Sequence, residues 1–165
     1  MKDFILLAPK TATQYQDMFW RIVEGQIFIG INYPTLFEGE EGDVPALSNW
    51  LNTVGVHKHK QLNLTKTYSK DKYPAYDNYP QAINVDWIKD IPYDYDGVMG
   101  VPITWLDGYY DGYEIVGLNN DSRTNDFKYL IKGTPVPDKN GVPRFGFFCK
   151  GKQVYTRILI RRKQL

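Results

Sequence analysis

The first 31 residues constrain the fold more than any other part of the chain. Phe4-Ile5-Leu6-Leu7-Ala8 is a continuous apolar run closed by Pro9, the pattern of a strand buried on both faces in a largely parallel sheet. Tyr15, Met18, Phe19, Ile22 and Val23 then recur at i, i+3, i+4, i+7 and i+8, the apolar stripe of an amphipathic helix. Thr11 or Thr13 is placed to cap it, Thr13 with Gln16 has capping-box spacing, and Gly25 stops it. A second strand follows over Gln26 to Ile31. A strand-helix-strand unit of this length implies a right-handed crossover.

Beyond residue 31 the signals are those of strands and turns. Asn32 to Asn49 is acidic and broken by Pro34, Gly39, Gly42 and Pro45, hence loop. Strands are expected around Trp50, from Leu62 toward Tyr68, over Ala82 to Trp87, Val101 to Leu106, Glu114 to Leu118, Phe127 to Ile131 and Val154 to Ile160. Trp87 to Ile91 alternatively starts a helical turn. Asp138-Lys139-Asn140-Gly141 is a hairpin signal. The expected class is α/β to α+β: one domain over 1–165, with the unit at 1–31 followed by a mainly β, mostly antiparallel region at 32–165.

With 165 residues, 42% of them hydrophobic, the chain is long and apolar enough to fold around a core. A net charge of +1 means that any nucleic-acid contact must come from a local patch. One cysteine, Cys149, excludes an internal disulfide framework and fits a reducing compartment. No base lies near it in sequence, so it reads as a buried free thiol rather than a nucleophile. The apolar run near the start is too short for a signal peptide, and no run approaches membrane-spanning length. A cytoplasmic location and no membrane partner are expected.

The basic concentration is Arg157, Arg161, Arg162 and Lys163, with Lys150 and Lys152. On a strand Arg157 shares a face with Arg161 and Lys163, which suits phosphate contact or the protection of an edge strand. His57-Lys58-His59-Lys60 alternates, both histidines facing one way in an extended chain. Without a third ligand nearby the pair favours a phosphate contact or a solvated edge over a metal site. Trp50, seven residues earlier, stacks on a base or packs in a core. Asp86, Asp90, Asp94 and Asp96 form an acidic series, read as acid-base chemistry or, at Asp94 and Asp96, as turn capping. Gly146 to Lys152 approaches a phosphate-binding loop, but Gln153 stands where the metal-binding hydroxyl belongs. A hairpin turn at Lys150-Gly151-Lys152 accounts for the same residues. No catalytic and no metal-ligating residue is assigned.

The stretch richest in specific residue choices is Tyr76 to Leu106. Its block Tyr95-Asp96-Gly97-Val98-Met99-Gly100-Val101-Pro102-Ile103-Thr104 has companions elsewhere. These are Phe4 to Phe28, Ser48 to Thr53, Tyr73 to Tyr79, Ala82-Ile83-Asn84-Val85, Glu114-Ile115-Val116-Gly117 and Arg157 to Lys163. Together they resemble the C-terminal half of the EcoRI-type adenine-specific DNA methyltransferases. The resemblance implies an S-adenosylmethionine-dependent family that methylates adenine N6 on a flipped base, with DNA as partner. It implies that Phe4 to Ala8 is a late interior strand of a Rossmann-like methyltransferase sheet. The family's Asn/Asp-Pro-Pro-Phe/Tyr loop and its cofactor-binding Gly-rich loop have no counterpart here; Asn32-Tyr33-Pro34 is the nearest sequence. No cofactor is therefore expected for this chain alone, and the implied partner is an N-terminal methyltransferase half or a second copy, joined at the edge near Phe4 to Ala8. The DNA-contact candidates are Trp50, His57, Lys58, His59, Lys60, Arg157, Arg161, Arg162 and Lys163. With 15% aromatic residues, 13 of them on the chain tyrosines, a stand-alone aromatic-rich β module for single-stranded nucleic acid or glycan is the alternative.

Overall fold

Short strands dominate a chain in which turn-forming residues recur every few positions. The computed structural model describes residues 3–9, 12–13, 15–30, 36–37, 44–45, 48–55, 64–107, 112–119 and 131–164. They fall into two compact units, residues 1–60 and 61–165.

In the first unit the expected strand, helix and second strand are β1 (Ile5–Pro9), α1 (Gln16–Val23) and β2 (Phe28–Gly30). Two-residue strands β3 (Leu36–Phe37) and β4 (Val44–Pro45) pair with each other. Strand β5 (Ser48–Asn52) inserts between β1 and β2, antiparallel to both, so β1 and β2 point the same way without bonding to each other. Tyr15, not a threonine, is the N-cap of α1, and its side chain makes no capping bond. At the other end Gly25 takes φ 70° and donates to the Ile22 carbonyl, the left-handed stop that glycine allows. Phe19 and Leu51 are fully buried, with Ala8, Ile27 and Ile29.

The expectation of a strand buried on both faces is corrected. Ile5, Leu6 and Leu7 are 61%, 40% and 51% exposed. The reason is position: β1 pairs with β5 alone and lies at the edge of a three-stranded sheet, so its apolar side chains are covered incompletely.

The second unit is built on a five-stranded sheet in the order β6-β7-β8-β14-β9. Its strands are β6 (Ala75–Tyr76), β7 (Tyr79–Asn84), β8 (Val98–Pro102), β9 (Tyr113–Asn119) and β14 (Arg157–Arg162). Only the β7–β8 pairing is parallel. Two small strand pairs lie between β9 and β14: β10 (Val136–Pro137) with β11 (Pro143–Arg144), then β12 (Phe148–Cys149) with β13 (Lys152–Gln153). The strand expected over Val101 to Leu106 instead spans 98–102 and gives way to a 3-10 turn at Ile103–Asp107, since Pro102 cannot donate to a ladder. The helical turn anticipated after Trp87 is present as Ile88–Asp90. Tyr76, Ala82, Phe147 and Leu159 form a buried cluster, flanked by Tyr79, Val98, Val116, Ile131, Cys149 and Val154.

The Asp138 hairpin forms as its sequence indicated. The carboxylate accepts from the Asn140 and Val142 amides at 2.8 and 3.0 Å and from Arg144 Nε at 3.1 Å. The amide bonds, chiefly that of Val142, hold its pKa below the ordinary aspartate value. A depressed folded pKa contributes stability above the unfolded value of about 3.9 and loses it as pH falls through the folded value. An NMR pH titration is expected to show the Asp138 carboxyl titrating below that value. Asp138→Asn removes the acid sensitivity of the hairpin amides.

Candidate nucleic-acid interface

The sheet carries a polar cluster where β7 ends and β14 begins. Asn84 is the last residue of β7 and Arg157 the first of β14, so β8 lies between them. The Arg157 side chain, only 10% exposed, crosses that gap. Its Nε donates to Asn84 Oδ1 at 3.3 Å, Nη2 to Asp86 Oδ1 at 3.4 Å, and Nη1 to the Tyr155 carbonyl at 3.5 Å. Asn84 Nδ2 donates to the same Asp86 oxygen at 2.8 Å. Beneath them the Tyr76 hydroxyl lies 3.0 Å from Asn84 Oδ1 and 3.3 Å from the Gly100 carbonyl. Burial drives the Tyr76 hydroxyl pKa far upward against the opposing pull of Arg157, so it stays a neutral donor. A buried guanidinium must have partners, and this one is met by an amide, a carbonyl and a carboxylate. Asp86, at the rim, remains 69% exposed.

The basic run therefore divides. Arg157 sits inside the cluster. Arg161, at the far end of β14, donates from Nη2 to Glu114 Oε1 at 2.6 Å, and Glu114 is its cross-strand partner on β9. Arg162 Nη1 donates to Asp96 Oδ1 at 3.1 Å. Lys163 is exposed and has no carboxylate partner among the described residues. Strand β14 is paired on both sides, so edge protection does not account for these cations. Exposed pairs such as Arg161–Glu114 contribute little, about 0–1 kcal/mol each, and can exchange partners.

The acidic series does not converge. Asp86 meets Arg157, Asp90 meets Lys72 at 3.4 Å, Asp94 accepts from the Tyr68 amide at 2.7 Å and Asp96 meets Arg162. The Walker-like stretch is the β12–β13 hairpin. Lys150 and Gly151 take φ 52° and 74° at its two turn positions, the geometry of a type I′ turn. Asp77 holds this turn, its carboxylate oxygens accepting from the Lys150 and Gly151 amides at 3.2 and 2.7 Å. Next to it, Asn78 donates to the Thr134 and Gly146 carbonyls and accepts from the Phe148 amide. Lysine in the left-handed region costs about 1–2 kcal/mol, so Lys150→Gly is expected to raise stability by up to about 1 kcal/mol. Asp77→Ala is expected to lower it by about 1–2 kcal/mol, since two turn amides lose a charged acceptor; urea unfolding of both variants is the check.

Cys149 is half-buried, and burial, with Asp77 and Asp86 nearby, pushes its thiol pKa up, the opposite of an activated nucleophile. His57, Lys58, His59 and Lys60 lie outside the described residues, and Trp50 is described only as a β5 backbone position. Among the described residues no group of three or more His, Cys, Asp or Glu is placed to hold a metal ion. None of their helices is long and apolar enough to cross a membrane. Asn84, Asp86, Tyr76 and Asp77 are the polar residues that sequence reasoning passed over as a group. The signal was the Asn84-x-Asp86 spacing directly after an apolar strand, which puts two polar side chains on one side.

Comparison with known proteins decides the family. The family model described as adenine-specific methyltransferase EcoRI matches residues 35–163. This chain belongs to that family. It is 33% identical to the type II methyltransferase M.EcoRI of Escherichia coli, over 99% of this chain and 51% of that protein. It is 29% identical to the type II methyltransferase M.MpnI of Mycoplasma pneumoniae, over 99% of this chain and 57% of that protein. With M.MgeORF184P of Mycoplasma genitalium it shares 32% identity over 71% of this chain and 37% of that protein. The chain thus spans about half the length of the first two relatives. No solved structure matches it.

Methyltransferases ordinarily use S-adenosylmethionine, and the described residues do not fit it. Nucleoside cofactors of this kind sit on a glycine-rich turn that leads from a strand to a helix N-terminus. Here α1 is the one α-helix among the described residues, and residues 10–15 leading to it, KTATQY, contain no glycine. The cluster around Arg157 is likewise built of residues already bonded to one another.

Proposed function

We propose that this chain is the C-terminal portion of an S-adenosylmethionine-dependent DNA adenine-N6 methyltransferase of restriction-modification or phage type. It completes the Rossmann-like sheet and contacts DNA in the cytoplasm, and it does not transfer methyl groups by itself. The observation that carries this is the family match over 35–163 in a chain that spans about half of M.EcoRI. The exposed apolar edge at Ile5, Leu6 and Leu7 supports a strand that pairs with the N-terminal half or with a second copy. Arg161, Arg162 and Lys163 are solvent-accessible cations for phosphate oxygens.

The test is a fluorescence-anisotropy titration of the purified chain with duplex DNA at several salt concentrations, beside a methyl-transfer assay on the same duplex. Binding that weakens steeply with salt, no turnover alone, and turnover on adding a separately expressed N-terminal half are expected. Robust turnover by the chain alone overturns the division of labour. A preference for single strands with no response to the second half favours the stand-alone module.

A further inference from the structure

We propose that the β12–β13 hairpin is a rigid basic finger, and that the ammonium groups of Lys150 and Lys152 at its tip contact backbone phosphates of a DNA duplex. The proposal rests on the DNA-contact reading above and assigns it an element apart from the end of β14.

Three observations meet at this tip. Lys150, at φ 52°, is the one non-glycine residue with a positive φ among the described residues. It holds a turn position that glycine or asparagine fills without strain. Local turn chemistry therefore gives no reason for lysine there, and strain kept against local preference points to a use for the side chain. Second, the tip is held from its base. Asp77 accepts from the Lys150 and Gly151 amides at 3.2 and 2.7 Å, and the Asp77 amide donates to the Phe148 carbonyl at 2.7 Å. The Phe148 amide donates to Asn78 Oδ1 at 2.9 Å, and Phe147, at the foot of the hairpin, is fully buried. Third, Lys150 and Lys152 are both exposed, and neither meets a carboxylate within ion-pair distance among the described residues. Arg161 and Arg162, by contrast, already hold Glu114 and Asp96.

The same geometry chooses between two sources of phosphate. Successive turn amides make a concave anion site when they are vacant. Here the Asp77 carboxylate fills that place, and strand β13 rather than a helix follows the turn. A nucleotide therefore has no backbone cradle. What remains is a pair of ammonium point charges on a convex tip, one of which Asp77 offsets. Such charges hold a row of phosphates without reading sequence. A two-stranded ribbon is also narrow enough for the major groove of a duplex, about 12 Å wide.

The probe is a labelled DNA duplex titrated by anisotropy with the full chain at several salt concentrations, beside urea unfolding of every variant. Lys150→Gly is expected to resist urea better than wild type and yet to bind about threefold to tenfold more weakly at about 0.1 M salt. Lys152→Gln is expected to bind more weakly by a similar factor, with its unfolding midpoint unchanged. Each lowers the slope of log K against log salt by about 1. Lys139→Gln, the same loss of charge on the β10–β11 hairpin, leaves binding within about twofold of wild type. A gain in stability joined to a loss of binding is a result that a purely structural lysine does not give. Salt-sensitive wild-type binding that Lys150→Gly and Lys152→Gln leave unchanged overturns the finger and keeps the DNA-contact reading. An equal loss in Lys139→Gln does the same, as does displacement of the duplex by ATP beyond its effect on ionic strength. Failure of the wild-type chain to bind any duplex overturns both.

Discussion

Replacing Gly100 with alanine is expected to destabilise the second unit by about 3 kcal/mol, a shift of roughly 10 °C or more in its melting midpoint. Gly100 is the middle residue of β8 and faces Tyr76. A Cβ there would overlap the Tyr76 hydroxyl and stand 2.8 and 2.9 Å from ring atoms Cζ and Cε2. The ring has nowhere to go. Tyr76 is buried, and its hydroxyl is bonded to Asn84 and to the Gly100 carbonyl. Tyr76→Phe alone should cost about 1–2 kcal/mol, because Asn84 Oδ1 keeps its bond to Arg157. In the double variant the worst overlap is gone and the ring contacts remain. The two costs are therefore expected to sum to more than the cost of the pair, and urea unfolding of all four proteins measures that coupling. A Gly100→Ala cost below about 1 kcal/mol would show that Tyr76 yields easily and that the cluster is not rigid.

Phe147→Ala is expected to be as damaging, at about 3–5 kcal/mol. The ring is fully buried, stacked on Tyr79 at 4.8 Å and 10° and tilted against Tyr76 at 4.7 Å and 44°. It is the plug through which the β12–β13 hairpin meets the β6–β7 hairpin, and the bond from the Asp77 amide to the Phe148 carbonyl at 2.7 Å runs beside it. Phe147→Leu fills most of the volume but stacks on neither ring, so about 1–2 kcal/mol is expected. The readouts are the unfolding midpoint and near-ultraviolet circular dichroism, which reports the packing of Tyr76 and Tyr79.

Periodicity and turn chemistry carried as far as local structure. The α1 stripe and its Gly25 stop, strands around Trp50 and over 113–119, and the Asp138 and Lys150 turns were all legible, because each is dictated within a few residues. Pairing was not. Nothing in Ser48–Asn52 marks it as the strand that separates β1 from β2. Nothing in Phe4 to Ala8 tells an edge strand from an interior one, since hydrophobicity does not encode what lies alongside. The site failed for a related reason. Arg157 was legible as a cation, and only the fold brings it 3.4 Å from Asp86, 71 residues away. Local charge patterning read it as one of a basic row, whereas burial makes it a different group from Arg161 and Arg162. The family resemblance was legible because it rests on whole blocks of residue choices.

The interior position of β14, between β8 and β9, has a consequence for synthesis on the ribosome. Strand β9 ends at Asn119 and β14 begins at Arg157, with 37 residues between them. At about 5–20 residues per second, the flank of β9 that faces β14 waits roughly 2–8 s for it, and that of β8 roughly 3–11 s. During that interval two half-made strands present open hydrogen-bonding edges to every other nascent chain nearby. A slower codon run in this interval should lower soluble yield, and a chaperone that shields extended segments should restore it.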